Sequence, residues 1–343
     1  MNGNYKSLTE FAQELDRREQ VKEDYIVPNT VLQMENPNSI TIGGSKIYNL
    51  NTVAHAQLAD KLNIPKKYYD RLKEVPGLRE QNVNAWLTGD SRHLIRTLDG
   101  EARAILSDAY KPMDNSLIMQ GALPVLQSIP DLKVRTQALT DTKMYLQFTI
   151  PGLRAEVTPG DVVEYGVTLT NSEVGHGAVN VQTFLYRLVC SNGMVRNSLL
   201  NQRHVGRKLG GSTEDYSLFK HDTIVAELES FKLRFRDTLG AALTDIEFHK
   251  HVDALRTAAG DMIERPDTVI KNVTQRFNLT QEEGESILVN MVQNNGLSRW
   301  GLANGITAQC HIAGVPVDRQ YQFESIGSDI IDLTPNEWQA LTA

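Results

Sequence analysis

Between Phe184 and Gly211 the chain reads FLYRLVCSNGMVRNSLLNQRHVGRKLGG, and Arg187, Arg196, Arg203, Arg207 and Lys208 all fall in this stretch. Asn192, Asn197, Asn201 and Gln202 lie among them, and no Asp or Glu occurs between Glu173 and Glu214. Guanidinium forks and side-chain amides donate to phosphate oxygens and base edges, whereas a carboxylate at the same place repels them. These five cations are expected to neutralise the phosphates of a nucleic acid, with Lys143 and Tyr145 of KMYLQF as further contacts to backbone and base. The remainder of the molecule is acidic: with a formal net charge of -7 overall, taking away the five cations leaves -7 - 5 = -12. A polyanion site must therefore be local. The competing reading pairs the same arginines with the acidic helices that follow, as ordinary surface ion pairs.

Other chemistry finds less support. The phosphate-cradling glycine loop and the dinucleotide fingerprint are both missing, and VGRKLGG has the wrong spacing for either. His249 and His251, two apart in a helical pattern, project about 200° from one another and are not expected to share an ion. His176, between glycines in SEVGHGAV, has no serine or cysteine partner in the local sequence. An enzyme site would have to assemble from distant residues such as His176, Asn171, Asp108 and Tyr110. No catalytic residue, metal ligand or cofactor is assigned. Cys190 and Cys310 read as reduced core thiols.

The elements that position these residues follow from pattern. Residues 1–50 are taken as an N-terminal arm, in which residues 5 to 26, with charge and sparse apolar positions at Leu8, Phe11 and Leu15, read as a surface helix or a loosely attached arm. Residues 51–211 form an α+β core. It starts with NTVAHAQLADKLNIPKKYYDRL, capped at Asn51 or Thr52 and broken at Pro65, which predicts a two-helix hairpin presenting Lys66, Lys67 and Tyr68. Asp99-Gly100 favours a type I′ turn between two strands. LKVRTQAL, KMYLQFTI, LRAEV, DVVEYGVTLTNS and AVNVQTFLYRLVC alternate or run apolar with short connections, which predicts an antiparallel meander. Residues 212–343 are mainly helical in pattern, with a capping box at Thr280 and Glu283. The fold class expected is thus a central antiparallel sheet with flanking helices followed by a helical C-terminal third, Gly210-Gly211 marking the junction.

At 343 residues and 41% hydrophobic, the chain can bury a real core. With no long apolar run and a polar N-terminus, it is expected to be a cytoplasmic protein without a membrane partner.

Several segments together, NTVAHAQLADKLNIPKKYYDRL, NVNAWL, RTLDGEARAILSDAYKPMDN, NSEVGHGAVNVQTFLYRLVCSNGM and SRWGLANGITAQC, resemble a phage- and plasmid-borne family known only by a domain of unknown function. The resemblance spans roughly residues 50 to 330, and its most specific part is Arg187, Cys190, Asn192 and Gly193. It implies a mobile-element protein of the bacterial cytoplasm and carries no catalytic residues. Together the two lines lead to a single-stranded DNA annealing or recombination accessory factor that assembles into homo-oligomers through its C-terminal helices. The alternative is a protein-binding counter-defence factor without catalytic activity.

Overall fold

The computed structural model describes residues 3–5, 7–204, 208–209, 212–213, 221–243 and 245–343. A short strand β1 (Gly3–Asn4) precedes helix α1 (Leu8–Val21), whose Ser7 side chain accepts the Glu10 N–H at 3.1 Å. Phe11 and Leu15, one turn apart, are 0% and 3% exposed, so this helix is part of the core. Strands β2 (Glu23–Pro28), β3 (Leu32–Asn36), β4 (Ser39–Ile42) and β5 (Lys46–Leu50) follow. The first fifty residues are therefore not an arm: β1 pairs with one sheet and β2 to β5 build most of another. Their strands are short and only partly alternating, so their pairing across the chain leaves little trace in local pattern.

Next come the helices α2 (Thr52–Lys61), α3 (Lys66–Leu72) and α4 (Leu78–Trp86). Asn51 caps α2 by accepting the Ala54 N–H at 2.9 Å, and Pro65 stands just before α3, as the sequence predicts. Strands β6 (Arg92–Leu98) and β7 (Glu101–Ser107) are joined at Asp99 and Gly100, both at positive φ (52° and 78°). The order in this first sheet is β2-β6-β7-β5-β4-β3, antiparallel except where β5 meets β7. Leu58, Tyr69 and Val83 from the three helices pack against Met34, Ile40 and Ile95 of the sheet.

Helix α5 (Asn115–Gln127) ends within a turn of Pro124, and strands β8 (Lys133–Leu139), β9 (Met144–Thr158), β10 (Asp161–Asn171), β11 (Val179–Arg187) and β12 (Asn192–Gln202) form the expected meander. The order β1-β8-β9-β10-β11-β12 is antiparallel throughout. KMYLQFTI and LRAEV belong to one strand, β9, whose pairing with β10 shifts register between Glu164 and Tyr165. Residues 192–202, which the sequence pattern did not mark as a strand, form the edge strand β12. Two-residue strands β13 (Lys208–Leu209) and β14 (Ser212–Thr213) pair with each other; Gly210-Gly211 lies outside the described residues.

The C-terminal third is helical: α6 (His221–Ala242), α7 (Asp245–Gly260), α8 (Pro266–Arg276), α9 (Gln281–Asn290), α10 (Arg299–Thr307), α11 (Val317–Asp332) and α12 (Pro335–Thr342). Thr280 and Glu283 close the predicted capping box at α9. Helices α1, α5 and α6 share a core with Leu146, Phe148, Val167 and Val181 of the meander. Phe248, Leu302, Phe323 and Ile330, from α7, α10 and α11, join Tyr165, Leu185 and Met194 in another. The apolar faces expected to join subunits thus pack within one chain. No helix among the described residues is long and apolar enough to cross a membrane.

The sheets are tied together by buried charge. Arg96 on β6 is fully buried; it meets Asp24 at 2.9 Å and Asp114 at 2.7 Å, and donates to the Glu173 carbonyl at 2.9 Å. Arg103 on β7 meets the Glu173 carboxylate at 2.6 Å, and the other Glu173 oxygen accepts the Asn115 N–H at the start of α5 at 2.7 Å. Burial alone raises the pKa of Asp114, but Arg96 and Lys22 outweigh it and hold the carboxyl at about 2. Removing one member of such a cluster strands the others without compensation. Arg96→Met is expected to lower unfolding free energy by about 3–5 kcal/mol in denaturant titration; a loss below about 1 kcal/mol would show that the cluster does not hold the sheets together.

Candidate functional site

The five cations close in sequence are separated by the strands that carry them. Arg187 ends β11 opposite Asn192, while Gln202 at the far end of β12 pairs with Val179. At about 3.3 Å per residue, Arg187 and Arg203 stand some 30–35 Å apart at opposite ends of the sheet. Arg187 is clasped by Asp161 at 2.5 Å, whose other oxygen accepts the Trp300 indole N–H at 2.8 Å; it also bonds Asn295 and Cys190. This joins RLVC to SRWG. Asn192 extends the joint, donating to the Asn304 carbonyl at 3.2 Å and meeting His311 Nε2 at 3.0 Å.

Arg196, in the middle of β12, has a side chain 3% exposed and pairs with Asp332 of α11 at 2.7 Å. Its Nε lies 3.4 Å from His251 Nδ1, and burial lowers its pKa. His251 is buried beside it, while His249 is exposed. Arg196 is therefore an interior tie between sheet and helices, and Arg187, half-buried at the edge of a separate cavity, is already neutralised by Asp161, which corrects the expectation of one open basic groove. Arg203 is exposed and has no ion pair among the described residues. Arg207 lies outside the described residues, as does the side chain of Lys208.

Arg203 leaves the sheet at the end where the β8–β9 turn and the β10–β11 loop NSEVGHG also emerge. Ser172 Oγ donates to the Thr142 carbonyl at 2.7 Å and accepts the His176 N–H at 2.9 Å, fastening these loops together. Between them and α11 opens a cleft of about 550 Å³ lined by Lys143, Tyr145, His176, Asp318, Arg319 and Tyr321. A second cavity of about 300 Å³, bordered by Asn51, Arg103 and Glu173, shares Thr142 and Lys143 with it.

Lys143 is half-buried, with Nζ 5.9 Å from the centre of the Tyr321 ring and no carboxylate partner among the described residues. Arg319 is paired with Glu283 at 2.5 Å. Asp318 accepts hydroxyls from Tyr145 at 2.5 Å, Thr142 at 3.2 Å and Thr140 at 3.3 Å. Tyr145 is only 2% exposed, its ring 5.2 Å from that of Tyr321, so it supports the cleft wall and cannot stack on a base. Burial and the bond to Asp318 push its pKa up. Burial also pushes Tyr321 up to about 12. Burial and then Lys143 push His176 down, with Asp318 opposing.

Of the residues an enzyme reading would gather, Asn171 and Tyr110 meet, but around His204, which the sequence reading overlooked. The Tyr110 ring stacks on His204 at 5.0 Å, and His204 Nε2 lies 2.9 Å from Asn171 Oδ1. Burial pushes His204 down to about 4. Its position in NQRHVG carried no signal, since its partners come from two distant segments, the stretch after β7 and the end of β10. His176 stands on the cleft rim and Asp108 on the turn after β7. Among the described residues no group of three or more His, Cys, Asp or Glu is arranged to hold a metal.

What these features define is an α+β protein with two sheets joined by buried charge and a polar cleft at one sheet end. The family profile described as Domain of unknown function (DUF932) matches residues 104–313, more than half of the chain, and the chain belongs to that family. The match starts within β7 and takes in the meander and the Arg187–Trp300 joint, but not the helices α2 to α4. No curated protein and no solved structure matches the chain.

Behind the cleft, Glu324 of α11 is buried against β9, where Gln147 donates to it. Burial raises its carboxyl from the ordinary 4.5 to about 7. Between those values the folded protein keeps a proton that the unfolded chain gives up, so stability falls as pH rises through this window and levels off above it. The gap corresponds to about 3 kcal/mol. Glu324→Gln is expected to unfold at higher temperature than the parent at pH 8, with the difference closing towards pH 4.5. A difference independent of pH would show that Glu324 does not titrate there.

Proposed function

We propose that the protein binds single-stranded nucleic acid at the sheet end bounded by Lys143, His176 and Arg203. The observation that carries this reading is that Lys143, which lines a cleft large enough for a base, and Arg203, which leaves β12 at the same end of the sheet, both lack carboxylate partners among the described residues. Most of the other cations here are engaged: Arg319 with Glu283, Lys111 with Glu227, Arg103 with Glu173. Strands β9 and β12 are three spacings apart, so Lys143 and Arg203 are about 14 Å from one another across the sheet, a span of about two nucleotide steps on an extended strand. Lys143 above the Tyr321 ring joins a backbone contact to an aromatic wall, the pairing that sequence-tolerant single-strand binding uses.

Two phosphate contacts correspond to a salt slope of about -1.4 for a single strand. In anisotropy titrations with a labelled oligonucleotide across salt, Lys143→Ala and Arg203→Ala are each expected to reduce the slope by about 0.7. Arg187→Gln, at the opposite sheet end, is expected to lower the melting temperature and leave the slope unchanged. Binding that is absent, or insensitive to salt, overturns the reading. Self-association belongs to the same proposal, and light scattering with and without the oligonucleotide reads it out; a monomer in both conditions removes it.

A further inference from the structure

The densest run of positive charge outside the cleft is on the α2–α3 hairpin. Between Lys61 and Lys73 the chain carries Lys61, Lys66, Lys67, Arg71 and Lys73 against one carboxylate, Asp70. Asp70 is taken up by Lys66. Lys61, Lys67, Arg71 and Lys73 are exposed and form no ion pair among the described residues. The nearest other acids, Asp60 and Glu74, flank the run on either side. Lys67 and Arg71 are four apart on α3 and share one stripe, and Tyr68 beside them is 49% exposed. Burial and then the nearby Arg79 and Lys66 charges push His55 on α2 down to about 4, with Asp70 opposing and Lys73 adding to them.

This hairpin is joined to the cleft through α2. Asn51, which caps α2, borders the smaller cavity together with Lys143. Gln57, midway along α2, donates to the Val174 carbonyl at 2.7 Å in the loop that carries His176. Lys61 lies one helical turn, about 6 Å, beyond Gln57, and the whole of α2 spans about 15 Å.

We propose that the α2–α3 hairpin is a second phosphate-contacting surface, so that a nucleic acid strand held at the cleft continues along α2 onto Lys61, Lys67 and Arg71, with Tyr68 offering a ring to a base. This inference rests on the cleft reading for its path but has its own residues. The continuity of the hairpin with the cleft through α2 favours a nucleic acid strand as the occupant, and an exposed ring among unpaired cations offers it stacking beside phosphate contacts.

The test compares the full chain with Lys67→Ala/Arg71→Ala and Lys143→Ala/Arg203→Ala, using oligonucleotides of about six and about twenty nucleotides across salt. The hairpin variant is expected to lose about 1.4 from the slope on the long strand and to bind the short one as the parent does. An unchanged slope on the long strand overturns the proposal. Loss with the hairpin variant but none with the cleft variant supports the hairpin contact and overturns the cleft reading. Reduced binding to phosphatidylserine vesicles with unchanged oligonucleotide binding overturns the proposal in favour of a membrane surface, and a parent chain that binds no oligonucleotide overturns both readings. All four substituted side chains are solvent-facing or half-buried, and circular dichroism checks that the variants stay folded.

Discussion

The contact on which the architecture depends is Glu173 between two guanidinium groups. Its backbone carbonyl takes Arg96 and its carboxylate takes Arg103, both on the first sheet, while the second carboxylate oxygen starts α5. Glu173 itself belongs to the loop after β10 of the second sheet. One residue thereby fixes where two separately cored layers meet. Charges placed this deep are costly to desolvate, and they are tolerated because nearly every lone pair around them is met. The same contact holds the NSEVGHG loop in place, and that loop brings His176 and Ser172 to the cleft.

Arginine does most of its work in this protein indoors. Arg79 gathers the carbonyls of Pro37, Tyr69 and Asp70, Arg299 those of Ile330, Ile331 and Leu333 at the end of α11. Arg187 and Arg196 fasten β11 and β12 to the C-terminal helices through Asp161 and Asp332. A planar fork with five donors suits this task better than an ammonium, because it satisfies several acceptors at once and stays charged when buried. The lysines between Lys61 and Lys73 and at Lys143 remain nearer the water. Surface charge in this chain is thus read better from lysines and strand ends than from counts of arginine along the sequence.

The motif RLVCSNGM illustrates how a specific sequence can be structural in origin. Arg187 is locked by Asp161, Asn192 by the Asn304 carbonyl, and Gly193 is required because a Cβ there would sit 2.5 Å from Glu324 Oε1 and 2.6 Å from the Phe184 ring. The meander, the Asp99-Gly100 hairpin, the α2–α3 corner and the capping box at Thr280 were all legible, since each rests on residues close in sequence. β12 was not. Its polar residues, Asn192, Arg196 and Gln202, hide a strand whose inward contacts mix hydrogen bonds and an ion pair with the apolar packing of Met194 and Val195. The pairing of β2 with β6 and of β5 with β7 was equally silent, because these short strands take their register from partners many residues away.

By itself the sequence determined local backbone preference: caps, turns, the alternating strands of the meander and the helical third, each decided by interactions within a few residues. Only the tertiary structure decided which charges meet water. An arginine's fate depends on whether a carboxylate from a distant element reaches it, as Asp161, Asp332 and Glu173 do, and no spacing along the chain encodes that encounter. An antiparallel strand also carries its two ends some 30 Å apart, so cations that are neighbours in sequence part company, while Lys143, His176 and Arg203, far apart in sequence, come to stand at one end of a sheet.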